Sequence, residues 1–479
     1  MTGIGTGALR DLLADLLTAF EQGLVERRPV VRLCLLTALA GEHTLLIGPP
    51  GTAKSELARR LHALFRDARY FERLLTRFSV PEELFGPLSI RALEQDRYER
   101  HTDGFLPDAT IAFIDEVFKA NSAILNALLT LLNEREFDNG AGRQRCPLVS
   151  VIGATNAVPE DEVADAFFDR FLVRVPVEPV SAEGFPALLA AGDLRTGPAP
   201  AHATLGEDEL QALAAAARAV TLPEQVLGVL AGLRAHLTDE GVYVSDRRWV
   251  KMAWLLRVAA ASEGRAAVGL WDLLLLPACV GADAASQTGV ADWLHARLGV
   301  REAFAPARLT RVVQAFQAQL EAEQNASDLD YDDAGRLRFS PDADGAMNED
   351  VAERFGDAKG GAGALRMSYS RRRRYGPAHI GARTAQIDDV LARIAAYVDE
   401  LTAERAALAL CRAGTLWLDD AALARADAHL AATADVIAEL AERARDARRG
   451  FENLPRLPQH IDAPLTGALP EPVLHEPLA

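Results

Sequence analysis

The segment Gly48-Pro49-Pro50-Gly51-Thr52-Ala53-Lys54-Ser55 lies between an apolar run at Thr44–Ile47 and a helical pattern at Ser55–Arg66. A glycine-rich turn in this context directs backbone N–H groups toward one point, where the helix N-terminus adds partial positive charge. Lys54 would reach the β- and γ-phosphates of a nucleotide, and the Ser55 hydroxyl would contact Mg2+. The stretch therefore predicts a phosphate-binding loop in an α/β fold.

Ala53 stands where the general pattern GxxxxGK[ST] has glycine. If the backbone needs positive φ at this position, alanine costs about 1 kcal/mol. Every other element of the pattern is present, so we still predict a working loop. The competing interpretation of this string alone is a Gly/Pro turn that binds nothing.

Residues 8–180 alternate short apolar runs with helical periodicity, which is typical of a parallel sheet with crossover helices. Asp138-Asn139-Gly140 lies between two extended segments and predicts a hairpin turn. The predicted strands are Thr44–Ile47, Thr110–Ile114 and Leu148–Ile152.

Polar side chains follow the second and third predicted strands. Asp115 and Glu116 end the second, and an acid at the carboxyl end of a central parallel strand faces the ligand crevice. Asp115 can hold Mg2+ through water, and Glu116 can polarise an attacking water. Their position about 60 residues after the loop separates them from an ordinary helix cap. Asn156 follows the third strand, where an amide can hold the attacking water or simply form a turn.

The overall composition argues against several classes of protein. A net charge of −17 disfavours nucleic acid as the main partner, because nucleic acids are bound through Lys and Arg. No uncharged run reaches the roughly 20 apolar residues of a membrane span, and Met1–Phe20 predicts an amphipathic helix instead of a signal peptide. Four separated cysteines indicate buried free thiols in a reducing cytosol, hence a cytoplasmic protein.

The chain is long enough for several domains, and its periodicity changes along its length. Alanine- and leucine-rich segments with helical spacing follow the α/β part, at Glu207–Val220, Gln225–Leu237 and Arg248–Ala261. We predict an α/β core at 1–180, a small helical domain at 181–300, a discontinuous helical domain at 301–324 and 379–450, a small β-rich or mobile insertion at 325–378, and an extended tail at 451–479.

Together these residues resemble the AAA+ superfamily of ATPases and, within it, the MoxR family, nearest to the RavA-type regulatory ATPases. The resemblance implies an AAA+ P-loop parallel-sheet core with a helical lid, followed by a helical bundle that carries the insertion. It covers residues 10–300, and beyond 301 it rests on layout alone. Alanine at position 53 looks normal for this family. The matching strings are Gly48–Ser55, Ile114–Glu116, Leu128–Glu134, Gly153–Asn156, Phe168–Phe171 and Ser245–Trp249.

The resemblance also implies site roles. Lys54 and Ser55 correspond to the contacts with ATP or ADP and Mg2+, and Asp115 to the Mg2+ acid. The catalytic roles fall on Glu116 as acid-base, Asn156 as sensor one and Arg170 as an arginine finger that completes the site of the neighbouring subunit. Arg247 corresponds to the sensor-two arginine, through which the lid closes on the nucleotide, with Arg248 as its rival.

The function implied is Mg-dependent ATP hydrolysis by a homo-oligomeric, hexameric ring that remodels, assembles or regulates a client complex, with a von Willebrand factor A domain protein as partner. A nucleotide-gated scaffold with slow hydrolysis is the alternative, and a DNA motor is a third reading that the charge disfavours. Glu83–Gly104 resembles the helix-two insertion of this clade, with either a projecting hairpin at Ser89–His101 or an ordinary loop. The run Arg371–Arg374, flanked by Tyr369 and Tyr375, indicates a solvated or acid-binding patch more than a nucleic-acid site.

Overall fold

The computed structural model describes residues 6–140, 142–157, 166–191, 204–329, 370–457 and 469–478. The chain divides into two compact units. The first comprises Met1–Gly299 and Ala406–His429, and the second comprises Val300–Arg405 and Leu430–Ala479. The predicted linker at Gly192–Pro200, residues 330–369 of the predicted insertion, and residues 458–468 of the predicted tail lie outside the described residues.

A five-stranded parallel sheet forms the centre of the first unit, in the order β2-β3-β6-β1-β7. Nearly every residue of β1, β3, β6 and β7 is buried, which explains why these strands are apolar runs without alternation. The strands are β1 (His43–Ile47), β2 (Tyr70–Leu74), β3 (Ile111–Asp115), β4 (Glu136–Asn139), β5 (Gly142–Arg145), β6 (Ser150–Thr155), β7 (Phe171–Pro176), β8 (Ser327–Leu329) and β9 (Ser370–Arg372).

The three predicted sheet strands are confirmed, but the sequence reading missed β2 and β7. Strand β2 lies at the edge of the sheet and carries polar residues, so its apolar signal is weak. Strand β7 contains Arg174, a charge that interrupts its apolar run. In the fold Arg174 is buried, with its guanidinium 3.9 Å from the centroid of the Phe168 ring.

The helices agree with the predicted periodicity, including the N-terminal amphipathic helix and the three segments after the α/β part. No described helix is long and apolar enough to cross a membrane. The helices are α1 (Thr6–Glu21), α2 (Arg28–Leu39), α3 (Lys54–Ala63), α4 (Pro81–Phe85), α5 (Ile90–Leu93), α6 (Ser122–Glu134), α7 (Phe185–Ala190), α8 (Glu207–Ala219), α9 (Glu224–Asp239), α10 (Asp246–Ser262), α11 (Pro277–Val280), α12 (Ala284–His295), α13 (Pro306–Asn325), α14 (Pro377–Gly414) and α15 (Asp420–Glu452).

Two turn predictions have different outcomes. Strands β4 and β5 pair antiparallel, which confirms the hairpin at Asp138-Asn139-Gly140. The predicted β-hairpin at Ser89–His101 is wrong, because this segment contains the one-turn helix α5. A single antiparallel bridge between Leu88 and Arg100 joins the two ends of the segment. The Ser89 hydroxyl accepts a 3.3 Å hydrogen bond from the Ala92 N–H, and this cap favours helix over strand.

The second unit contains α13 and most of α14 and α15. Strands β8 and β9 pair antiparallel at the start and end of the predicted insertion. In the basic run, the Arg373 guanidinium lies 5.9 Å from the centroid of the Tyr375 ring. The sequence-based domain limits stay predictions.

Candidate active site

The loop Gly48–Ser55 connects β1 to α3 at the carboxyl edge of the sheet. The Gly48 N–H donates to the Thr155 carbonyl at 3.0 Å, so the loop starts against β6. A Cβ at Gly48 would lie 2.1 Å from the Val177 carbonyl oxygen, just past the end of β7. Only glycine lets the backbone pass this close to the neighbouring strand.

Ala53 adopts the left-handed conformation, with φ 67° and ψ 23°, directly before α3. The sequence predicted a cost for alanine only if the backbone has positive φ at this position, and Ala53 does have positive φ. Alanine carries a cost of about 1 kcal/mol there, because its Cβ crowds the following carbonyl. Gly51 also has positive φ, so two residues of the loop turn its N–H groups inward.

Lys54 is buried, and its Nζ donates to the carbonyl oxygens of Gly48 at 2.5 Å and Pro49 at 2.9 Å. Burial lowers the pKa of Lys54, and the negative charges of Asp115 and Glu116 partly oppose this shift. The ammonium group therefore lies inside the loop and within electrostatic reach of both acids. A cation in this position, at a helix N-terminus, can bind phosphate oxygens.

Asp115 is the last residue of β3 and pairs in register with Leu74 of β2. Its Oδ1 accepts a 3.0 Å hydrogen bond from the Glu116 N–H. Glu116 has φ 51° and ψ 44°, so the chain turns sharply as it leaves the strand. This left-handed turn in a non-glycine residue is a strained arrangement of the kind found at functional sites.

Asn156 follows β6, which lies between β3 and β1. Its Nδ2 donates to Oε1 of Glu116 at 2.7 Å. The same oxygen is 3.1 Å from Nζ of Lys119, a residue that the sequence reading did not single out. Three elements therefore bring Lys54, the two acids and Asn156 to one edge of the sheet.

The donor set fits Mg2+. Asp115 and Ser55 supply a carboxylate and a hydroxyl oxygen from β3 and α3, two elements that pack together. Magnesium in nucleotide sites takes one or two protein oxygens and completes its shell with phosphate and water.

Arg170 lies at the amino ends of the strands, opposite the phosphate-binding loop at their carboxyl ends. It precedes β7, whose Phe171 pairs with His43 at the start of β1, whereas Pro176 pairs with Ile47 beside the loop. The two ends of the sheet are separated by the length of a five-residue strand, about 17 Å. The Arg170 side chain pairs with Asp169 at 3.4 Å, and its buried Nε makes no hydrogen bond within the described residues.

Arg247 and Arg248 also contact Asp169, but in different ways. Arg247 is half-exposed, and its NH2 lies 3.3 Å from Oδ2 of Asp169. Arg248 is buried and donates to the carbonyl oxygens of Cys279, Asp169, Phe171 and Leu172 at 2.7 to 3.1 Å. The Arg248 guanidinium therefore holds α10 against β7, whereas Arg247 makes one half-exposed ion pair with Asp169.

Sequence reading also missed Arg27, which is buried beside the loop. Its NH2 donates to the Glu178 carbonyl at 2.7 Å, and its Nε donates to the Thr52 carbonyl at 3.4 Å. A single arginine before α2 carries no motif, so no sequence signal could have identified it.

Family models match two parts of the chain. Residues 11–215 match a model described as the MoxR domain in the MoxR-vWA-beta-propeller ternary systems. Residues 225–294 match an AAA lid domain.

Curated relatives share the same region. Two uncharacterized proteins of Methanocaldococcus jannaschii are 42% and 41% identical over 254 residues, 53% of this chain. The match spans 65% and 66% of their own lengths, just under two thirds. A structural protein of Acidianus two-tailed virus is 30% identical over 165 residues, which are 33% of this chain and 27% of that protein.

Proposed function

Because residues 11–215 match a MoxR domain and residues 225–294 match an AAA lid domain, we propose that this chain is a MoxR-type AAA+ ATPase that hydrolyses Mg-ATP within a homo-oligomeric ring and uses the cycle to remodel or regulate a client protein complex. The observation that carries the proposal is the hydrogen bond from Asn156 to Glu116 at the edge where Lys54 lies. It sets a general base and a polar amide beside a phosphate-binding cation.

We propose roles that use this geometry. Lys54 and the N–H groups of the loop would bind the β- and γ-phosphates, and Ser55 and Asp115 would hold Mg2+, which supplies charge neutralisation at the phosphates. Glu116 accepts a proton from the attacking water. Asn156 orients that water and the carboxylate together, which raises the chance of a productive geometry.

The positions of Arg170 and Arg247 support the proposal that the subunits form a ring. Both lie near Asp169, at the sheet edge opposite the loop, so neither is placed to act on the nucleotide of its own subunit. We assign both to the nucleotide of the adjacent subunit, where an arginine stabilises charge on the γ-phosphate. A hexamer is the ring size that we propose.

Mixing inactive subunits tests this assignment. Arg170→Ala subunits keep the loop, and Lys54→Ala subunits keep the arginine. Each variant alone should be nearly inactive, and mixed rings should recover ATPase activity at the interfaces that combine an intact loop with an intact Arg170. Activity that stays absent from mixed rings, with ring assembly verified by sedimentation, would contradict a role across the interface.

The partner is proposed from the matched family model, whose description places MoxR domains in systems with a vWA protein and a β-propeller. We propose a vWA-domain protein as the partner of this chain. A nucleotide-gated scaffold remains the second candidate, and a DNA motor conflicts with the net charge of −17.

The substitution Glu116→Gln separates the first two candidates. It should lower kcat by about 10²–10⁴ while ATP still binds. A remodeller should then trap its client in ATP, and co-purification would identify that client, whereas a scaffold should keep its function. Glu183→Gln is the matched control, because Glu183 is exposed. Full hydrolysis by Glu116→Gln would refute the assignment of the base.

A further inference from the structure

The C-terminal segment Leu469–Leu478 packs along two helices of the second unit without forming a helix or strand. Four contacts join it to α13, one of which is the ion pair between Arg308 and Glu476 at 3.1 Å. The ring of His475 lies 5.5 Å from that of Phe316, Arg311 pairs with Glu476 at 2.6 Å, and Arg308 donates to the Pro477 carbonyl at 2.7 Å.

Three more contacts join the segment to α14. Arg383 donates to the Glu471 carbonyl at 2.6 Å, and Arg393 donates to the Leu478 carbonyl at 2.8 Å. Between them, the Val473 N–H donates to Oε1 of Gln386 at 3.3 Å. These contacts advance along α14 as the segment advances and run backward along α13, so the segment has one direction and one register. We call this surface the tail groove, defined by Arg308, Arg311, Phe316, Arg383, Gln386 and Arg393.

The chemistry of the tail groove is that of peptide recognition. Arginines donate to three backbone carbonyls of the segment, which no helix or sheet engages. Arg308 and Arg311 both pair with the carboxylate of Glu476. Leu478 is 4% exposed, whereas Leu474 is 91% exposed. The tail groove therefore binds the carboxylate of Glu476 and buries the leucine two residues later, Leu478.

Arg383 is prearranged for this contact. It is buried, and its Nε donates to Oε1 of Glu323 at 2.8 Å. Oε1 of Glu323 also accepts from Gln319 at 2.9 Å, and Oε2 pairs with His379 at 2.9 Å. The guanidinium is held by the helices themselves, and only one of its N–H groups turns to the segment. A donor fixed in advance loses little entropy on binding.

We propose that the tail groove is a docking site for an extended acidic segment of a partner protein with the pattern Glu-Pro-Leu, and that the chain's own C-terminal segment occupies this site in competition. Backbone carbonyls, one carboxylate and one leucine are groups that any such segment can supply. The chain's own segment is covalently attached, so it competes for the groove as an intramolecular ligand. A partner must therefore outcompete the tail, which makes docking selective.

Full-length chains test the competition with a fluorescent peptide of residues 469–479 as probe. Leu478→Asp would place a carboxylate in the buried leucine position and release the tail. Its groove should then bind the peptide at least about tenfold more tightly than the wild-type groove does. Leu474→Asp is the matched control, and its binding should equal that of the wild type. No binding by Leu478→Asp, or equal binding by all three chains, would overturn the proposal.

A charge exchange tests the recognition itself. Both Arg308 and Arg311 pair with Glu476, so the exchange changes both. Arg308→Gln and Arg311→Glu, made together with Leu478→Asp, should lose the wild-type peptide and recover binding to a peptide with Glu476→Arg. Glu476→Arg in the chain is a second tail-releasing variant, which keeps the comparison readable if Leu478→Asp perturbs folding in thermal denaturation. If the exchanged peptide fails to recover binding, Arg311 and Glu476 are not the recognition pair and the proposed pattern is wrong.

Discussion

The side-chain amide of Asn156 donates a 2.7 Å hydrogen bond to Oε1 of Glu116, across the boundary between β6 and β3. The same carboxylate oxygen lies 3.1 Å from Nζ of Lys119. Asn156 and Lys119 are both exposed. The amide makes the shorter contact, 2.7 Å against 3.1 Å, and an exposed ion pair contributes little, so we take the amide as the stronger determinant of where the carboxylate lies.

We expect Asn156→Ala to lower kcat by about 10–10², because Glu116 loses the group that orients it. Asn156→Asp should lower kcat further, because it sets a second negative charge against Glu116. Steady-state ATPase assays measure both, with nucleotide binding and thermal unfolding as controls for folding. Wild-type kcat in Asn156→Asp would show that this contact does not serve hydrolysis.

The left-handed Ala53 leads to a stability prediction. Ala53→Gly removes about 1 kcal/mol of backbone strain but increases the entropy of the unfolded chain, so the net effect should lie between zero and about 1 kcal/mol of stabilisation. Ala53→Val should destabilise by more than 1 kcal/mol, because a β-branched residue is least tolerated at positive φ. Denaturant unfolding gives both values. Equal stability of the Gly and Val variants would contradict the left-handed backbone at this position.

Arg247 and Arg248 are adjacent, but substituting them should have different effects on stability and on ATPase activity. Arg248→Ala leaves several buried carbonyls without their donor and should destabilise the first unit by about 3 kcal/mol or more. Arg247→Ala removes a half-exposed ion pair, so it should change stability by less than 1 kcal/mol and act on ATPase activity instead. Thermal unfolding and ATPase assays separate the two effects. A destabilised Arg247→Ala with intact specific activity would reverse the assignment.

Buried Glu323 should make the second unit sensitive to acid. Burial works to raise its pKa, but hydrogen bonds from His379, Gln319 and Arg383 outweigh burial, and the pKa is lowered overall. A group whose pKa is lower in the folded state contributes stability above its unfolded pKa of about 4.3 and loses that contribution as the pH falls through the folded pKa. Glu323→Gln should therefore cost about 2 kcal/mol at pH 7 and much less in acid.

Unfolding in denaturant at neutral pH and near pH 3 measures this difference. Glu321→Gln is the matched control, because Glu321 is exposed on the same helix. A loss of stability in Glu323→Gln that is the same at both pH values would show that the ionised carboxylate is not what the network stabilises.

Local features of the sequence were enough to predict the parts of this protein that depend on neighbours along the chain. A strand, a glycine-rich turn and a helix at Gly48–Ser55 specify a phosphate-binding loop, and apolar runs followed by Asp115-Glu116 and Asn156 specify strand ends. These signals are readable because the spacing of apolar residues and the turn chemistry are local properties. Strand β7 was not predicted, because the contacts that stabilise the buried Arg174, the Phe168 ring and the Phe168 carbonyl, cannot be seen in the sequence.

Contacts between residues that are distant in sequence are seen only in the folded chain. The fold brought Asn156 to Glu116 and buried Arg248, while its neighbour Arg247 stayed half-exposed. It also placed the C-terminal segment along α13 and α14, although proline-rich composition predicts only an extended tail. The physical reason is that hydrogen bonds and ion pairs between residues far apart in sequence depend on strand order and helix packing, which no local pattern encodes.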